Sequence, residues 1–390
     1  MKKKSAQKKV ALIYDAKHQF DVAVLGGVAA YLRDYPGWEI SIEESALQNQ
    51  RLPNLAEWEG DGIIANFDNP KVAGQVMASG LAAVAFGGGF CGPTGSAIPY
   101  IATDNAAIAR LAAEELIGRG FRHLGYFGYT PTTANGWSKD RELAFHALAK
   151  NAGCSFSCFR IPNRTAQHWN PFVKESLRWL KTIPRPVGIM ADTDERARKL
   201  LEVCRIGGIR VPDEVSVIGV DNDALLCELS FPPLTSIEQG AHAIGYRAAL
   251  VLDSIMRRKA RLPLRHVIAP IGVITRASTD TLAAADADAA LAMRLIRENA
   301  CEGLKPEQVC RLVGRSRAGL EVRFATSFST TLKKEIARVR LDRALELTRK
   351  SALPLKVIAQ QCAYGSVQHM TSVFRQRLGK TPAAIRSSRE

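Results

Sequence analysis

The 390-residue sequence has no apolar run long enough to cross a membrane. No stretch of about 18 apolar residues occurs in it, so a spanning helix is not expected. Five lysines lie within the first nine residues, but the apolar stretch from Val10 to Tyr14 is too short for a signal peptide and ends at Asp15. We therefore expect a soluble, cytoplasmic protein that makes no contact with a membrane.

Cysteine pairs and the motifs of common catalytic sites are also missing. The eight cysteines form no Cys-x-x-Cys pair and have no histidine at zinc-finger spacing, so we expect free buried thiols and neither a metal nor a cofactor. The glycine-rich segment 87–95 lacks the basic residue of a phosphate-binding loop, and neither Gly-x-Ser-x-Gly nor His-x-x-x-His occurs. An enzyme with catalytic residues of its own is therefore not expected.

What the sequence does have is positive charge concentrated at one end. The formal net charge is +15, and residues 281–390 hold 20 Lys and Arg against 10 Asp and Glu, whereas residues 11–280 hold 28 of each. An arginine-rich surplus confined to one domain is typical of a surface that binds phosphate backbones. A solvated helical surface is the alternative that charge alone leaves open.

Residues 8 to 275 alternate short β-branched runs with amphipathic helical stretches, such as the helix predicted from Val22 to Tyr31. This alternation predicts a parallel, doubly wound α/β fold, in which ligands lie outside the carboxyl ends of the strands. The predicted strands cover residues 9–15, 38–43, 62–65, 83–86, 100–102, 123–127, 187–190 and 216–220.

Polar residues directly follow five of these strands. Because the carboxyl ends of parallel strands meet at one edge of a sheet, these side chains are candidates for a ligand site. Asp, Asn and Thr also cap the helices that follow such strands, and we expect about half of these residues to be caps only. The residues are Asp15, Asn66, Asp68, Thr103, Asp104, Asn105, Asp192, Thr193, Asp194, Asp221 and Asn222.

The last hundred residues are purely helical in pattern, and two of their segments are alike. In the first, a short helix from Pro306 ends at Gly314, which permits the positive φ of a tight turn, and a second helix follows. In the second, a short helix from Leu355 leads through a turn at residues 363–365 to another helix. With a long helix over residues 332–350 between them, the repeat predicts an all-α domain with two helix-turn-helix units.

This repeat resembles the AraC-type family of transcription activators, in which a long helix joins two such units. The resemblance implies that the second helix of each unit enters the major groove of DNA. It rests on Arg340, Leu341, Ala344, IAQQCAYGS at 358–366, Phe374 and GKTPAAIR at 379–386. The DNA contacts that it assigns, to phosphates or base edges, are Arg315, Ser316, Arg317, Arg323, Ser366, Gln368, His369 and Arg375.

The sequence departs from the family pattern at several positions. The usual glycine of the second turn is Ala363, and the aromatic pair of the second reading helix is His369 and Met370. In the first unit, Gly319 and Val322 stand where polar or basic residues are common. The second unit is therefore expected to read different bases or to bind more weakly.

Five segments of the first part of the chain carry a recognisable pattern. They are YIATDN at 100–105, HLGYFG at 123–128, residues 141–145, VPDEVSVIGVDN at 211–222 and LTSIEQ at 234–239. Through them this part resembles the periplasmic-binding-protein-like sensors of LacI-type repressors. The resemblance implies a two-lobed sensor over residues 8–277, followed by the DNA-binding domain over residues 285–388. This combination of domains resembles the xylose operon regulators.

This second resemblance implies a monosaccharide held between the two lobes, whose closure reorients the DNA-binding domain. Carboxylates, amides and arginines suit vicinal hydroxyls, and an aromatic ring suits the apolar face of a sugar. Position 66 is an acid in the xylose regulators, so Asn66 would reverse one hydroxyl contact and leaves the identity of the sugar open. The ligand-binding residues that the resemblance assigns are Phe20, Asp21, Asn66, Asn105, Arg141, Asp194, Arg196 and Asp221.

The sequence thus predicts a sugar-responsive, sequence-specific DNA-binding regulator that acts as a homodimer and activates a xylose or related monosaccharide catabolic operon. Its expected partners are a double-stranded DNA operator, the monosaccharide effector and, for an activator, RNA polymerase. Repression, or response to a different small ligand, stays open. An alternative of another class is a phospho-acceptor response regulator with Asp68 as acceptor, although about 270 residues is twice the length that a receiver domain needs.

Overall fold

The computed structural model divides the chain into two compact units, Met1–Asp280 and Thr281–Glu390. We call them the α/β unit and the helical unit. Across the described ranges, no helix is both long enough and apolar enough to span a bilayer. The described residues are 7–43, 55, 58–89, 97–132, 135–161, 168–257, 264–280, 286–328, 330–351 and 353–387.

The described part of the α/β unit contains two six-stranded sheets, whose strands form at the buried β-branched runs. The first comprises β1 (Lys8–Ile13), β2 (Trp38–Glu43), β3 (Gly62–Asn66), β4 (Ala82–Gly87), β5 (Tyr100–Thr103) and β11 (Arg265–Ile268). Its order is β11-β5-β4-β3-β1-β2, and it is parallel throughout. In β1, Val10, Leu12 and Ile13 are at most 5% exposed, as expected for a strand covered on both faces.

The second sheet comprises β6 (His123–Tyr129), β7 (Ser155–Ile161), β8 (Val187–Ala191), β9 (Val215–Val220), β10 (Thr235–Glu238) and β12 (Gly272–Ile274). Its order is β12-β10-β9-β8-β6-β7, and only β10 and β12 pair antiparallel. The sequence pattern did not predict β7, β10, β11 or β12. Three of these have four residues or fewer, and β7 is a half-exposed edge strand with polar residues.

Helices cover both faces of each sheet, so that each sheet and its helices form one lobe. Helices α1 and α8 pack together on the first sheet, where Gly245 permits their close approach. A Cβ on Gly245 would lie 1.7 Å from the carbonyl oxygen of Val24. The helices of this unit are α1 (Gln19–Asp34), α2 (Pro70–Ser79), α3 (Asn105–Gly118), α4 (Gly136–Asn151), α5 (Trp169–Leu180), α6 (Asp194–Ile206), α7 (Ala224–Leu229) and α8 (Ala241–Met256).

Three described segments, at residues 103–105, 238–241 and 268–272, carry the chain from one lobe to the other. They lie side by side, because the backbone N–H of Asp104 donates to the carbonyl of Ile268 at 3.0 Å and that of Ile271 to the carbonyl of Glu238 at 2.8 Å. Each crossing starts at the carboxyl end of a strand. The polar residues that end the strands therefore gather between the lobes.

The helical unit has two small cores, one at each half of its long helix α12. Ile296, Leu320 and Phe324 belong to the first core, and Met370 and Phe374 to the second. Its helices are α9 (Ala287–Asn299), α10 (Pro306–Val313), α11 (Arg317–Phe328), α12 (Leu332–Lys350), α13 (Leu355–Gln361), α14 (Val367–Leu378) and α15 (Pro382–Ser387).

The turn of each helix-turn-helix unit contains a residue in the left-handed region. Gly314 has a φ of +73° and Ala363 a φ of +53°. Alanine pays about 1 to 2 kcal/mol for this conformation, which glycine adopts freely. The replacement of the family's glycine by Ala363 therefore strains the second turn but keeps its geometry.

Candidate functional site: a cleft between the lobes and a nucleic-acid interface

A cavity of about 720 Å³ lies between the two lobes, where the carboxyl ends of the strands gather. This volume is in the range that accommodates a small ligand. Carboxylates, amides, one arginine and aromatic rings from both lobes line it.

Asp21 and Asn66 form the polar wall of the first lobe. Asn66 Nδ2 donates to both carboxylate oxygens of Asp21, at 2.8 and 3.0 Å, and the backbone N–H of Asp15 donates to Asp21 Oδ2 at 2.8 Å. Burial raises the pKa of Asp21 to about 7, and the hydrogen bonds from Asp15 and Asn66 offset only part of this effect. The Asp21 carboxyl group therefore titrates near neutral pH.

Arg141, on α4, is a buried cation of the second lobe and is only 1% exposed. Its Nε donates to Asn105 Oδ1 at 2.9 Å, its Nη1 to the carbonyl of Asp192 at 2.6 Å, and its Nη2 to Gln239 Oε1 at 2.7 Å. Its guanidinium lies 4.7 Å from the centroid of the Trp137 ring. Because Asn105 and Gln239 belong to two of the crossings, this side chain is bonded to two segments that join the lobes.

Two carboxylates of the second lobe, the buried Asp194 and the half-buried Asp221, share the cavity wall. Asp194 accepts from the Ser236 hydroxyl at 2.6 Å and from the backbone N–H of Asp223 at 2.8 Å, and Asp221 accepts from Gln239 Nε2. Burial raises the pKa of Asp194 to about 6, and burial together with the nearby charge of Asp194 raises the pKa of Asp221 well above its usual range. Both carboxyl groups therefore keep a proton up to a higher pH than is usual for aspartate.

Aromatic rings narrow the cavity from both lobes. Phe20 comes from α1, whereas Tyr129 and Trp137 belong to the second lobe. A Cβ on Gly88 of the first lobe would lie 2.7 Å from the Trp137 ring, so the two lobes meet at a position that requires glycine. Flat ring faces of this kind suit the apolar face of a cyclic ligand.

The predicted reading helices of the helical unit are α11 and α14. Ser316 and Ser366 precede them, and their hydroxyl oxygens accept from the backbone N–H groups of Gly319 at 3.3 Å and His369 at 3.1 Å. Both serines therefore cap the helices that carry the predicted DNA contacts.

The remaining predicted contacts are exposed, on the two helices or, for Arg315, in the turn before α11, but those of the first unit are already engaged. Arg315 pairs with Asp288, Arg317 with Glu307 and Arg323 with Asp286, all within the helical unit.

In the second unit, Gln368, His369 and Arg375 are exposed, whereas Met370 is fully buried in the second core. Met370 is thus a packing residue, and the departure from the family's aromatic pair changes the surface only at His369.

The comparisons with known proteins cover both units. Residues 9–106 match the model of the XylR N-terminal domain, residues 113–279 the periplasmic binding protein-like domain, and residues 309–388 a helix-turn-helix domain. The chain is 33% identical to the xylose operon regulatory protein of Escherichia coli (strain K12) over 97% of this chain and 96% of that protein. The chain belongs to the xylose operon regulator family. The family's protein from Haemophilus influenzae (strain ATCC 51907 / DSM 11121 / KW20 / Rd) is also 33% identical, over 97% of this chain and 98% of that protein.

Solved structures extend the match to the fold. The structure of the xylose-binding transcription activator xylR is 32% identical in sequence and has a TM-score of 0.65, and the match covers 98% of each chain. The complex of the transcriptional regulator CelR with cellobiose is 21% identical with a TM-score of 0.57, covers 70% of this chain and 86% of its own, and supports the fold alone. The predicted architecture, a two-lobed sensor followed by a helix-turn-helix domain, is confirmed.

Six of the eight predicted ligand residues line the cavity of this family member, namely Phe20, Asp21, Asn66, Arg141, Asp194 and Asp221. The other two do not line the cavity but contact residues that do. Asn105 is bonded to Arg141, and the Arg196 guanidinium lies 4.0 Å from the centroid of the Tyr129 ring. Their contribution to ligand binding would therefore pass through Arg141 and Tyr129.

Sequence reasoning missed Tyr129, Trp137 and Gln239, which also line the cavity. Tyr129 ends β6, which was predicted two residues too short, and Gln239 follows β10, which was not predicted. The rule that selected the other strand ends would have included both residues had β6 been given its full length and β10 been recognised. Trp137 lies in the first turn of α4, where the sequence carries no comparable signal.

Asp68, the acceptor in the phosphorylation alternative, has a local structural role. Its Oδ2 accepts from the backbone N–H of Gly88 at 2.9 Å and its Oδ1 from the Tyr100 hydroxyl at 3.3 Å. Membership of the xylose operon regulator family favours the sugar-responsive regulator over a phospho-acceptor protein.

Proposed function

We propose that this chain is a sugar-responsive transcription regulator that binds xylose or a related monosaccharide in the cleft and activates the genes for its catabolism. The observation that carries the proposal is the cleft itself, which combines buried acids and amides on both lobes with a buried arginine and aromatic rings. Vicinal hydroxyls donate to carboxylates and accept from guanidinium and amide groups. The full-length relatives that are xylose operon regulatory proteins support this choice of ligand class.

In this proposal Asp21 accepts a hydrogen bond from a sugar hydroxyl, and Asn66 positions the Asp21 carboxyl group. Asn66 directs its Nδ2 at Asp21, and its Oδ1 accepts from the backbone N–H of Asp68 at 2.8 Å. Its amide is therefore largely engaged within the protein. An amide at position 66 thus acts on the sugar mainly by orienting the Asp21 carboxyl group.

Isothermal titration calorimetry of the full chain with a panel of pentoses and hexoses tests the sugar site. We expect one-to-one binding, with D-xylose or a close relative as the tightest ligand. Asp221→Asn should abolish the heat, because it changes the carboxyl group that Gln239 holds in the cavity wall. Asp140→Asn is the matched control, since Asp140 is exposed on the same helix as Arg141. Absence of heat with every sugar in the panel would overturn the proposal.

For DNA, we propose that α11 and α14 enter the major groove and that the eight predicted side chains contact phosphates and base edges. A duplex selected by the full chain from a random library provides the probe. Arg375→Ala should weaken binding and, where the contact is to a phosphate, lower the salt slope by about 0.9. Arg294→Ala, an exposed arginine of α9, removes the same charge and should have a much smaller effect.

We further propose that the protein acts as a cytoplasmic homodimer. Leu225, Leu229 and Phe231, on α7 and just after it, are 73%, 80% and 82% exposed, which is unusual for neighbouring large apolar side chains. Such a patch is typical of a protein interface.

The sign of regulation is tested by a reporter gene under the selected operator. We expect the regulator with its bound sugar to raise expression above the level without the regulator, through contact with RNA polymerase. Expression that is highest when the regulator is absent would instead identify a repressor.

A further inference from the structure

The start of α9 places two carboxylates against the first reading helix. Arg315 Nε lies 2.7 Å from Asp288 Oδ2, and Arg323 Nη1 lies 2.5 Å from Asp286 Oδ2 and 3.8 Å from Asp288 Oδ2. The two arginine side chains are 53% and 47% exposed, whereas both aspartate side chains are 21% exposed. The arginines therefore remain accessible from solvent while the acids hold them from one side.

Asp286 is fixed by the helix that it begins. Its Oδ1 accepts from the backbone N–H groups of Asp288 at 2.9 Å and Ala289 at 3.0 Å, and its Oδ2 faces Arg323. The hydrogen bond from Ala289 and the pairing with Arg323 lower the pKa of Asp286. Asp286 is thus an ionised N-cap whose second oxygen stays directed at the reading helix.

The second helix-turn-helix unit has no counterpart of this arrangement. Residues 347–389 contain no Asp or Glu, so no acid of this segment faces α14. Within the described ranges, Arg375 forms no ion pair. The two helix-turn-helix units thus differ in how far acids neutralise their arginines. The first unit, which is nearer in sequence to the α/β unit, is the neutralised one.

We propose that Asp286 and Asp288 form an acidic clamp that occupies Arg315 and Arg323 and competes with DNA phosphates for them. This inference rests on the proposed function of these arginines as DNA contacts. In the free protein the clamp neutralises the first reading helix, so that DNA binding must exchange each carboxylate for a phosphate. Asp286 is the first described residue of the helical unit and lies six positions after Asp280, the last residue of the α/β unit. The clamp is therefore located where the chain enters the DNA-binding unit.

The test is DNA binding by full-length Asp286→Asn/Asp288→Asn. Asparagine retains the N-cap at position 286, so the substitution removes charge without removing the cap. Because exposed ion pairs are weak, we expect the affinity for a duplex selected by the wild-type chain to rise by about 2- to 10-fold. The salt slope should also become steeper, by up to about two. In the wild type, each carboxylate that loses its arginine to a DNA phosphate takes up a cation, which offsets part of the cation release from DNA. The variant has no such carboxylates.

Glu298→Gln provides the matched control. Glu298 is exposed at the other end of α9, so it changes the net charge of the same helix by one unit without touching the clamp. Its affinity and salt slope should stay close to those of the wild type.

Unchanged or weaker DNA binding by the double variant overturns the clamp, because acids that merely orient the arginines would lower affinity when removed. Arg315→Ala/Arg323→Ala separates this failure from failure of the proposed function. If that variant binds DNA less tightly while Asp286→Asn/Asp288→Asn does not bind more tightly, the clamp alone is refuted. If that variant binds DNA like the wild type, the arginines are no DNA contacts and both proposals fail for the first unit.

Discussion

Replacement of Arg141 by alanine should destabilise the α/β unit and abolish sugar binding together. The change removes three hydrogen bonds of a buried guanidinium, to Asn105, Gln239 and the carbonyl of Asp192. It also leaves Asp221 without its neighbouring positive charge. Removing one partner of a buried charged network costs about 3 to 5 kcal/mol in free energy of unfolding. For a unit of this size, each kcal/mol lowers the unfolding temperature by about 2 to 4 °C, so we expect a drop of roughly 6 to 20 °C.

Thermal unfolding followed by circular dichroism, together with calorimetry against the panel sugar that binds, measures both effects. Arg205→Ala is the control, because the Arg205 side chain is 62% exposed and its partner Glu202, also on α6, is 35% exposed. An exposed pair contributes about 0 to 1 kcal/mol, so this control should unfold within a few degrees of the wild type and bind sugar normally. A similar small shift for both variants would refute the account of Arg141 as the centre of the network.

Three other changes test separate parts of the structure. Because the pKa of Asp21 is raised to about 7, the stability that its protonation adds is complete below the ordinary aspartate pKa and is lost as pH rises to about 7; Asp21→Asn should make the fall in unfolding temperature between roughly pH 4 and 7 shallower. Gly88→Ala should weaken sugar binding about tenfold or more because its Cβ meets Trp137, and adding Trp137→Ala should restore part of the affinity in calorimetry. Leu229→Glu should convert a homodimer into a monomer in sedimentation at an unchanged unfolding temperature, since Leu229 is 80% exposed in the single chain.

Much of the ligand cavity could be predicted from local sequence, because it is built where parallel strands end. Asn66 ends a buried strand, and Asp194 and Asp221 directly follow such strands, so topology alone places them at one edge. Their partners were harder to predict. Gln239 is 98 residues from Arg141 in sequence, and no local pattern indicates that their side chains meet.

The surface charge of the helical unit also shows that contacts between residues distant in sequence cannot be predicted from local patterns. Counting charges correctly predicted a basic end, but pairing depends on distances that only the fold determines. Asp288 is 27 residues from Arg315 and Asp286 is 37 residues from Arg323, and each pair is joined across two helices. A net surplus therefore indicates which domain is basic, and the structure shows which of its arginines are paired with a carboxylate.

The position of Arg141 explains why a small ligand would influence the arrangement of the lobes. Asn105 and Gln239 belong to two of the segments that connect the lobes, and Asn105 Nδ2 also donates to the carbonyl of Gly88 in the first lobe at 2.6 Å. A ligand that hydrogen-bonds to Arg141 would compete with or reinforce these contacts, and would thereby change the energy of the crossings as well as of the cavity wall. Such a differential interaction is what a ligand needs in order to shift a population of lobe arrangements. In the proposed function, the hydrogen bonds of Arg141 would therefore couple occupancy of the cleft to the geometry of the α/β unit.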